Sequence, residues 1–115
     1  MVIVFVLNLK KTMVILKKST KPNKKLMLVS ENKTVHFGSK PNKDFTIYSK
    51  EGKEIAEQKK KAYLSRHSKL NENWNKSGLM TPGFLSRWIL WNKPTISGSL
   101  KDIQKRFNIK IKNQI

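Results

Sequence analysis

The sequence predicts an α+β domain in which a small antiparallel β-meander, at about residues 14–48, is followed by two or three helices packed on one face. Three observations predict this fold class. Short runs rich in apolar and β-branched residues recur at hairpin spacing between residues 14 and 38. Residues 53–70 contain neither glycine nor proline and have helical composition. A Thr-Pro pair at 81–82 then precedes the most hydrophobic stretch of the chain.

Three strands are predicted in the first half of the chain, at residues 14–18, 25–30 and 34–38. A turn centred on Pro22 and Asn23 joins the first two, and a tight connection at 31–33 joins the second and third. Pro41 and Asn42 then break the meander, so that residues 44–49 are expected to form a fourth, shorter strand or an ordered loop.

The first twelve residues have two interpretations. They are nearly all apolar up to Leu9, but the run is too short to span a bilayer, which takes about twenty residues. Met-Val-Ile occurs at residue 1 and again at Met13, which makes Met13 a candidate true start. Residues 1–12 are therefore either an upstream extension or an extra strand, ahead of a single basic domain at 13–107.

The predicted helices lie in the second half. The apolar stripe of 53–70 is narrow, which indicates a helix resting on the surface of the domain. In the helix at 81–92, residues Phe84, Trp88 and Trp91 share one face at positions i, i+4 and i+7. Ser99 and Asp102 have capping-box spacing and predict a further helix start, and residues 108–115 are expected to be a C-terminal tail.

Positive charge is the dominant property of the composition. The chain has 25 Lys and Arg against seven Asp and Glu, a net charge of +18. The excess is spread, with eleven Lys against three acids in residues 1–52 and fourteen basic residues against four acids in 53–115. Such a charge attracts polyanions. The alternative is a merely solvated surface, because Lys, Asn and Ile make up 42 of 115 residues, as AT-rich coding produces.

Two groups of side chains are the candidate nucleic-acid contacts. Lysines of the 53–70 helix would follow a phosphate backbone, and an arginine and a tryptophan of the 81–92 helix would stack on bases or grip phosphates. The candidates are Lys59, Lys60, Lys61, Arg66, Lys69, Arg87, Trp91 and Lys93. The alternatives are a solvated lysine face and an aromatic core beneath the sheet. Among the candidates of the 53–70 helix only Arg66 is of a kind that discriminates bases, so little sequence specificity is expected.

Catalytic and metal-binding patterns are not found. The sequence has no cysteine and no phosphate-binding glycine loop. His36 and His67 are expected to be partly buried with one hydrogen bond each, although catalysis by His67 with Glu72 is conceivable. The sequence therefore predicts a non-enzymatic protein without cofactor or metal.

Several short motifs in fixed order carry a resemblance. They are Val35-His36-Phe37-Gly38, Asp44-Phe45-Thr46, Tyr63-Leu64-Ser65-Arg66-His67, Glu72-Asn73-Trp74, Ser77-Gly78, the stretch 81–91 and Asn92-Lys93-Pro94-Thr95. From about residue 13 to 107 they resemble a family of small basic proteins of unknown function from giant viruses, the nucleocytoplasmic large DNA viruses. The resemblance implies a viral gene and no known activity. The sequence departs from that family at Leu85, where an aromatic residue is expected.

Two functions remain as hypotheses. The first is a phosphate-directed binder of DNA or RNA, acting in genome packaging or the virus factory. The second is an internal structural protein of the virion that docks an acidic protein partner through its Trp-rich helix. We expect residence in the host cytoplasm or nucleus, or in the virion interior, without secretion and without a membrane span. The sequence leaves the oligomeric state open.

Overall fold

The computed structural model describes residues 14–115. Its sheet consists of strands in which buried and more exposed residues alternate. Strands β1 (Val14–Lys18), β2 (Lys24–Val29) and β3 (Thr34–Ser39) pair antiparallel in chain order. Every second residue faces the core, because successive side chains of a strand point to opposite faces. The buried ones are Val14, Leu16, Leu26, Leu28, Val35 and Phe37. The predicted meander is confirmed, while the predictions for residues 1–12 and Met13 lie outside the described residues.

A fourth strand, β4 (Ile111–Asn113), lies parallel to β1 and gives the strand order β3-β2-β1-β4. It is part of residues 108–115, which the sequence assigns to a C-terminal tail. Its register places Ile111 opposite Val14, and both side chains are buried. A three-residue strand is too short for a period-2 pattern to reveal it.

Residues 44–49 form neither a strand nor a loop, so that prediction is wrong. They belong to helix α1 (Phe45–Glu51), which Asp44 caps by accepting hydrogen bonds from the backbone N–H groups of Thr46 and Ile47. A carboxylate at this position satisfies amides that have no partner inside the helix. Lys25 Nζ donates to the other carboxylate oxygen of Asp44 at 2.7 Å, which ties the start of α1 to β2.

Helix α2 (Lys53–His67) follows α1 after Gly52 and packs against it. It buries only Ala56 and Tyr63, so the narrow apolar stripe predicted from the sequence is confirmed. Tyr63 also joins α2 to the rest of the domain, because its ring stacks on that of Trp91.

Helix α3 (Pro82–Leu85) begins where the Thr-Pro pair predicts. Thr81 Oγ1 accepts a hydrogen bond from the backbone N–H of Phe84, and proline occupies the first turn. Proline is tolerated there because its missing N–H would have no helical partner.

The predicted helix at 81–92 does not present Phe84, Trp88 and Trp91 on one face, because the helix type changes within it. Residues Ser86–Leu90 form a π-helical turn, closed by the N–H of Trp91 donating to the carbonyl of Ser86 at 3.0 Å. A π turn has more residues per turn than an α turn, so the i+7 side chain is displaced from the i, i+4 line. Trp88 packs near Phe84, whereas Trp91 faces α2.

Helix α4 (Ile96–Phe107) begins earlier than the predicted start at Ser99. Thr95 is the N-cap, and its Oγ1 accepts from the N–H of Gly98 at 2.9 Å. Ser99 is fully buried and accepts from the backbone N–H of Lys93. Asp102 caps nothing; it accepts a hydrogen bond from the side chain of Asn92 instead. The capping-box prediction is therefore wrong, because Thr95 takes the N-cap position ahead of Ser99.

The core lies between the sheet on one side and α3, the π turn and α4 on the other. Its fully buried large side chains are Leu16, Leu28, Phe37, Phe84, Leu85, Ile89 and Ile103. The aromatic rings of Phe84, Trp88 and Phe107 form one corner, with centroids 5.2 to 6.5 Å apart. This arrangement, a small sheet covered by helices, is the α+β class that the sequence predicts.

Candidate nucleic-acid interface

A cleft of about 520 Å³ opens where the β2–β3 end of the sheet, α1, α2 and the start of α3 meet. Its lining combines cations, aromatic rings and two carboxylates. The cations belong to Lys24, Lys25, Lys43, Lys59 and Arg66, the rings to Tyr48, Tyr63 and Trp91, and the carboxylates to Asp44 and Glu72.

The two carboxylates of the cleft are already engaged. Asp44 is buried and pairs at 2.7 Å with Lys25, whose side chain is 17% exposed. Glu72 accepts from the ring of Trp74 with one oxygen and contacts His67 Nδ1 at 3.0 Å with the other. The acids therefore leave most of the cationic charge of the cleft uncompensated.

Three cations of the cleft, Lys24, Lys59 and Arg66, form no ion pair with a carboxylate anywhere in residues 14–115. Lys43 does pair, with Glu51 at 2.7 Å, and the hydrogen bond that its ammonium group donates to this carboxylate raises the pKa of Lys43. That pair is exposed, and exposed pairs hold their partners weakly. An incoming anion therefore meets three uncompensated cations and a fourth in a weak pair.

Stacked rings form one wall of the cleft. The rings of Trp91 and Tyr63 are nearly parallel, with centroids 4.4 Å apart and 5° between their planes. His67 stacks on Tyr63 at 4.0 Å and 23°, which places Tyr63 in the middle of a three-ring stack. Burial raises the pKa of Tyr63, and the negative charge of Glu72 adds to this effect, so its hydroxyl stays neutral.

Tyr48 on α1 brings a half-buried ring to the same cleft. The ammonium groups of Lys43 and Lys59 lie 5.7 and 5.6 Å from its ring centroid. Both distances are within the range of cation–π attraction. Two positive charges thus lie next to an aromatic ring in this cleft.

Three of the eight candidate residues, Lys59, Arg66 and Trp91, line this cleft. The two cations come from α2, where residues 59, 63 and 66 recur at helical spacing on one face. Trp91 reaches the cleft because the π turn directs it toward α2.

The run 59–61 is divided between two faces of α2. Lys60 Nζ donates to the backbone carbonyl of Asn92 at 2.8 Å and lies 4.8 Å from the ring centroid of Phe45. Burial, followed by repulsion from Arg87, lowers the pKa of Lys60. This lysine holds α2 to the loop after the π turn. Lys61 is exposed and lies on the side of α2 away from the cleft.

Arg87 is half-buried against two indole rings. Its guanidinium lies 4.1 Å from the ring centroid of Trp88 and 5.5 Å from that of Trp74. It donates to the backbone carbonyl of Trp91 at 3.0 Å. Burial, followed by repulsion from Arg106, lowers its pKa. These contacts give Arg87 a structural role.

The last two candidates, Lys69 and Lys93, are exposed, and neither lines the cleft. Lys69 follows the end of α2, and Lys93 lies in the loop before α4. Both remain available to a long polyanion that extends beyond the cleft.

The two histidines are half-buried and each makes one hydrogen bond, as the sequence predicts. His36 Nδ1 contacts Ser19 Oγ at 2.7 Å, and His67 Nδ1 contacts Glu72. The structure thus brings together the one pair for which catalysis was conceivable. Because Glu72 also accepts from Trp74, the pair fastens the loop after α2. Within residues 14–115 no three His, Asp or Glu side chains are grouped to hold a metal ion.

Sequence reasoning missed the cleft residues that lie outside the two basic helical segments. Lys24 and Lys25 start β2, Lys43 precedes α1, and Tyr48 lies within α1. No local pattern connects them with α2. Tyr63 is the one that spacing could have identified, because it lies one turn after Lys59.

Comparison with models of protein families gives a match. The model of a family of unknown function (DUF5754) matches residues 14–67, from the start of β1 to the end of α2. This supports similarity to an uncharacterised family over the first half of the predicted resemblance. No curated protein and no solved structure matches the chain. Among the helices of residues 14–115, none has the length and apolar character needed to cross a membrane.

Proposed function

We propose that this protein is a non-enzymatic nucleic-acid-binding protein that contacts DNA or RNA through phosphates, with little sequence specificity. The observation that carries the proposal is the cleft, where uncompensated cations surround an aromatic wall. Cationic grooves with aromatic rings are the usual platform for nucleic acids bound without sequence preference.

Net charge supports the same proposal. The chain carries +18, and the cleft cations are backed by exposed lysines on both halves of the sequence. A surface of this kind raises the local concentration of a polyanion and accelerates its association. Each phosphate neutralised releases condensed counterions, which makes the affinity depend on salt.

Burial of Trp88 and the packing of Trp91 on Tyr63 favour this proposal over docking of a protein through the Trp-rich helix. Trp88 is 9% exposed and belongs to the core, and Trp91 stacks on Tyr63. The large apolar side chains exposed in residues 14–115 are Ile55, Leu70 and Ile115, which lie outside the segment 82–90. A docking face would need a contiguous exposed apolar patch, and this segment does not present one.

The biological setting is part of the proposal. The resemblance to small basic giant-virus proteins supports a role in genome packaging or in the virus factory. The protein would then act in the host cytoplasm or nucleus, or inside the virion. Acidic proteins remain secondary partners of the same cationic surface.

The test is a titration by fluorescence anisotropy of labelled duplex and single-stranded DNA at several salt concentrations. We expect binding to both, with affinity that falls steeply as salt rises, by roughly 0.7 to 0.9 logarithmic units per phosphate contact and tenfold change in salt. Vesicles of anionic lipid are the control for general polyanion attraction. Affinity that hardly changes with salt, or tighter binding to the vesicles, would contradict the proposal.

A further inference from the structure

Building on the proposed nucleic-acid binding, we infer that the cleft holds one unpaired nucleotide of a single strand. The base packs against Tyr48 and Trp91, and the flanking phosphates contact the cations at the rim. Phosphate binding alone requires only the charged surface, so this site adds a preference for an unstacked base.

The dimensions of the cleft suit one nucleotide. Its volume of about 520 Å³ is within the range of roughly 300 to 1,000 Å³ that is typical of sites for small organic ligands. Bases in a duplex are stacked on each other and expose no ring face. An unpaired base can leave the strand and enter a pocket, as it does when single strands bind aromatic platforms.

Charge and aromatic surface are spaced for a nucleotide. Lys43 and Lys59 hold their ammonium groups 5.7 and 5.6 Å from the ring centroid of Tyr48. A base that stacks on this ring takes the place of an ammonium group over the ring face, and the displaced lysine then lies beside the base, within reach of its phosphate. Arg66 lines the cleft from the next turn of α2 and supplies a planar donor for phosphate oxygens.

Hydrogen-bonding groups are also present for a base edge or a sugar. Ser39, Asn42 and Ser86 line the cleft, and their side chains make no hydrogen bond to another described residue. Hydroxyl and amide groups act as donor or acceptor as required. Such groups satisfy different bases equally well, which agrees with weak sequence specificity.

The inference is tested with two strands that have equal numbers of phosphates, an oligothymidine and an oligonucleotide of the same length made of abasic sites. Wild-type protein is expected to bind the oligothymidine more tightly by roughly 5- to 150-fold, the range for stacking one base. Tyr48→Leu should remove most of this preference. Tyr48→Phe, which keeps the ring, is the matched control and should retain it.

A second measurement uses only the wild-type protein. Photo-crosslinking with a strand that contains 5-iodouracil, followed by peptide mass spectrometry, should give adducts at Tyr48 or Trp91. Adducts confined to aromatic residues outside the cleft would overturn the assignment, even if Tyr48→Leu failed to fold.

The remaining outcomes separate the two proposals. Equal binding of the thymidine and abasic strands overturns the nucleotide site and leaves phosphate-directed binding in place. Binding of neither strand overturns the proposed function itself. Thymidine monophosphate that binds as tightly as the strand would assign the cleft to a free nucleotide and overturn the strand proposal.

Discussion

Substitution of Arg87 shows whether this residue stabilises the fold or binds nucleic acid. Arg87→Met keeps most of the side-chain stem but removes the guanidinium that donates to the Trp91 carbonyl and lies over two indole rings. A charged hydrogen bond contributes about 1.5 to 3 kcal/mol, and a partly desolvated cation–π contact about 1 kcal/mol. Burial lowers the pKa of Arg87, because the buried charge loses its hydration. Removing the charge recovers this cost and offsets part of the lost free energy. We expect a net decrease of about 2 kcal/mol in the free energy of unfolding.

Urea unfolding followed by tryptophan fluorescence measures this change. With an m-value of about 1 to 2 kcal/mol/M, the unfolding midpoint should fall by roughly 1 to 2 M. Arg106→Met is the control, because Arg106 also lies over Trp88, at 4.6 Å, but is about half exposed. Its substitution should cost less than about 1 kcal/mol. A stable Arg87→Met protein with a reduced salt dependence of DNA binding would refute the structural role.

Two further predictions concern the scaffold. Gly38 has φ +81°, and an added Cβ would lie 2.8 Å from Leu90 Cδ1, so Gly38→Ala should lower stability by about 1 to 3 kcal/mol in thermal unfolding. Asp102 is partly buried, which opposes its charged form, but hydrogen bonds from Asn92 and Arg106 outweigh this and lower its pKa. Its stabilising effect is therefore complete above the unfolded pKa of about 3.9 and is lost as the pH falls through the folded value. The stability difference between wild type and Asp102→Asn should shrink between about pH 5 and pH 2, and a constant difference would contradict this.

Strands β1 to β3 and the start of α3 were predictable because local rules determine them. Alternation in β1 to β3 and the Thr81-Pro82 pair specify elements within a few residues. Helix α1 was missed because seven residues carry too short a pattern to separate helix from strand, and Asp44 was not recognised as its cap. Strand β4 was missed because its stability comes from pairing with β1, almost a hundred residues away in sequence.

The candidate site was predictable only in part, for a similar reason. Lys59 and Arg66 were found because they belong to one basic helix. Lys24, Lys43 and Tyr48 join them through tertiary packing that no sequence pattern records. Arg87 was assigned to the surface because composition cannot show that a guanidinium lies against two indole rings.

Salt dependence of single-strand binding tests most directly the claim that the cleft is the nucleic-acid interface. The measurement compares wild type with two triple substitutions to Gln, one of the cleft cations and one of exposed lysines that do not line the cleft. The cleft set is Lys24, Lys59 and Arg66, and the control set is Lys17, Lys101 and Lys105. The slope of log affinity against log salt is negative, and each phosphate contact on a single strand contributes about 0.7 to its magnitude. Loss of three contacts in the cleft variant should therefore reduce this magnitude by about 2. The control should lower it by less than about 0.7. Equal decreases in the two variants would contradict the claim.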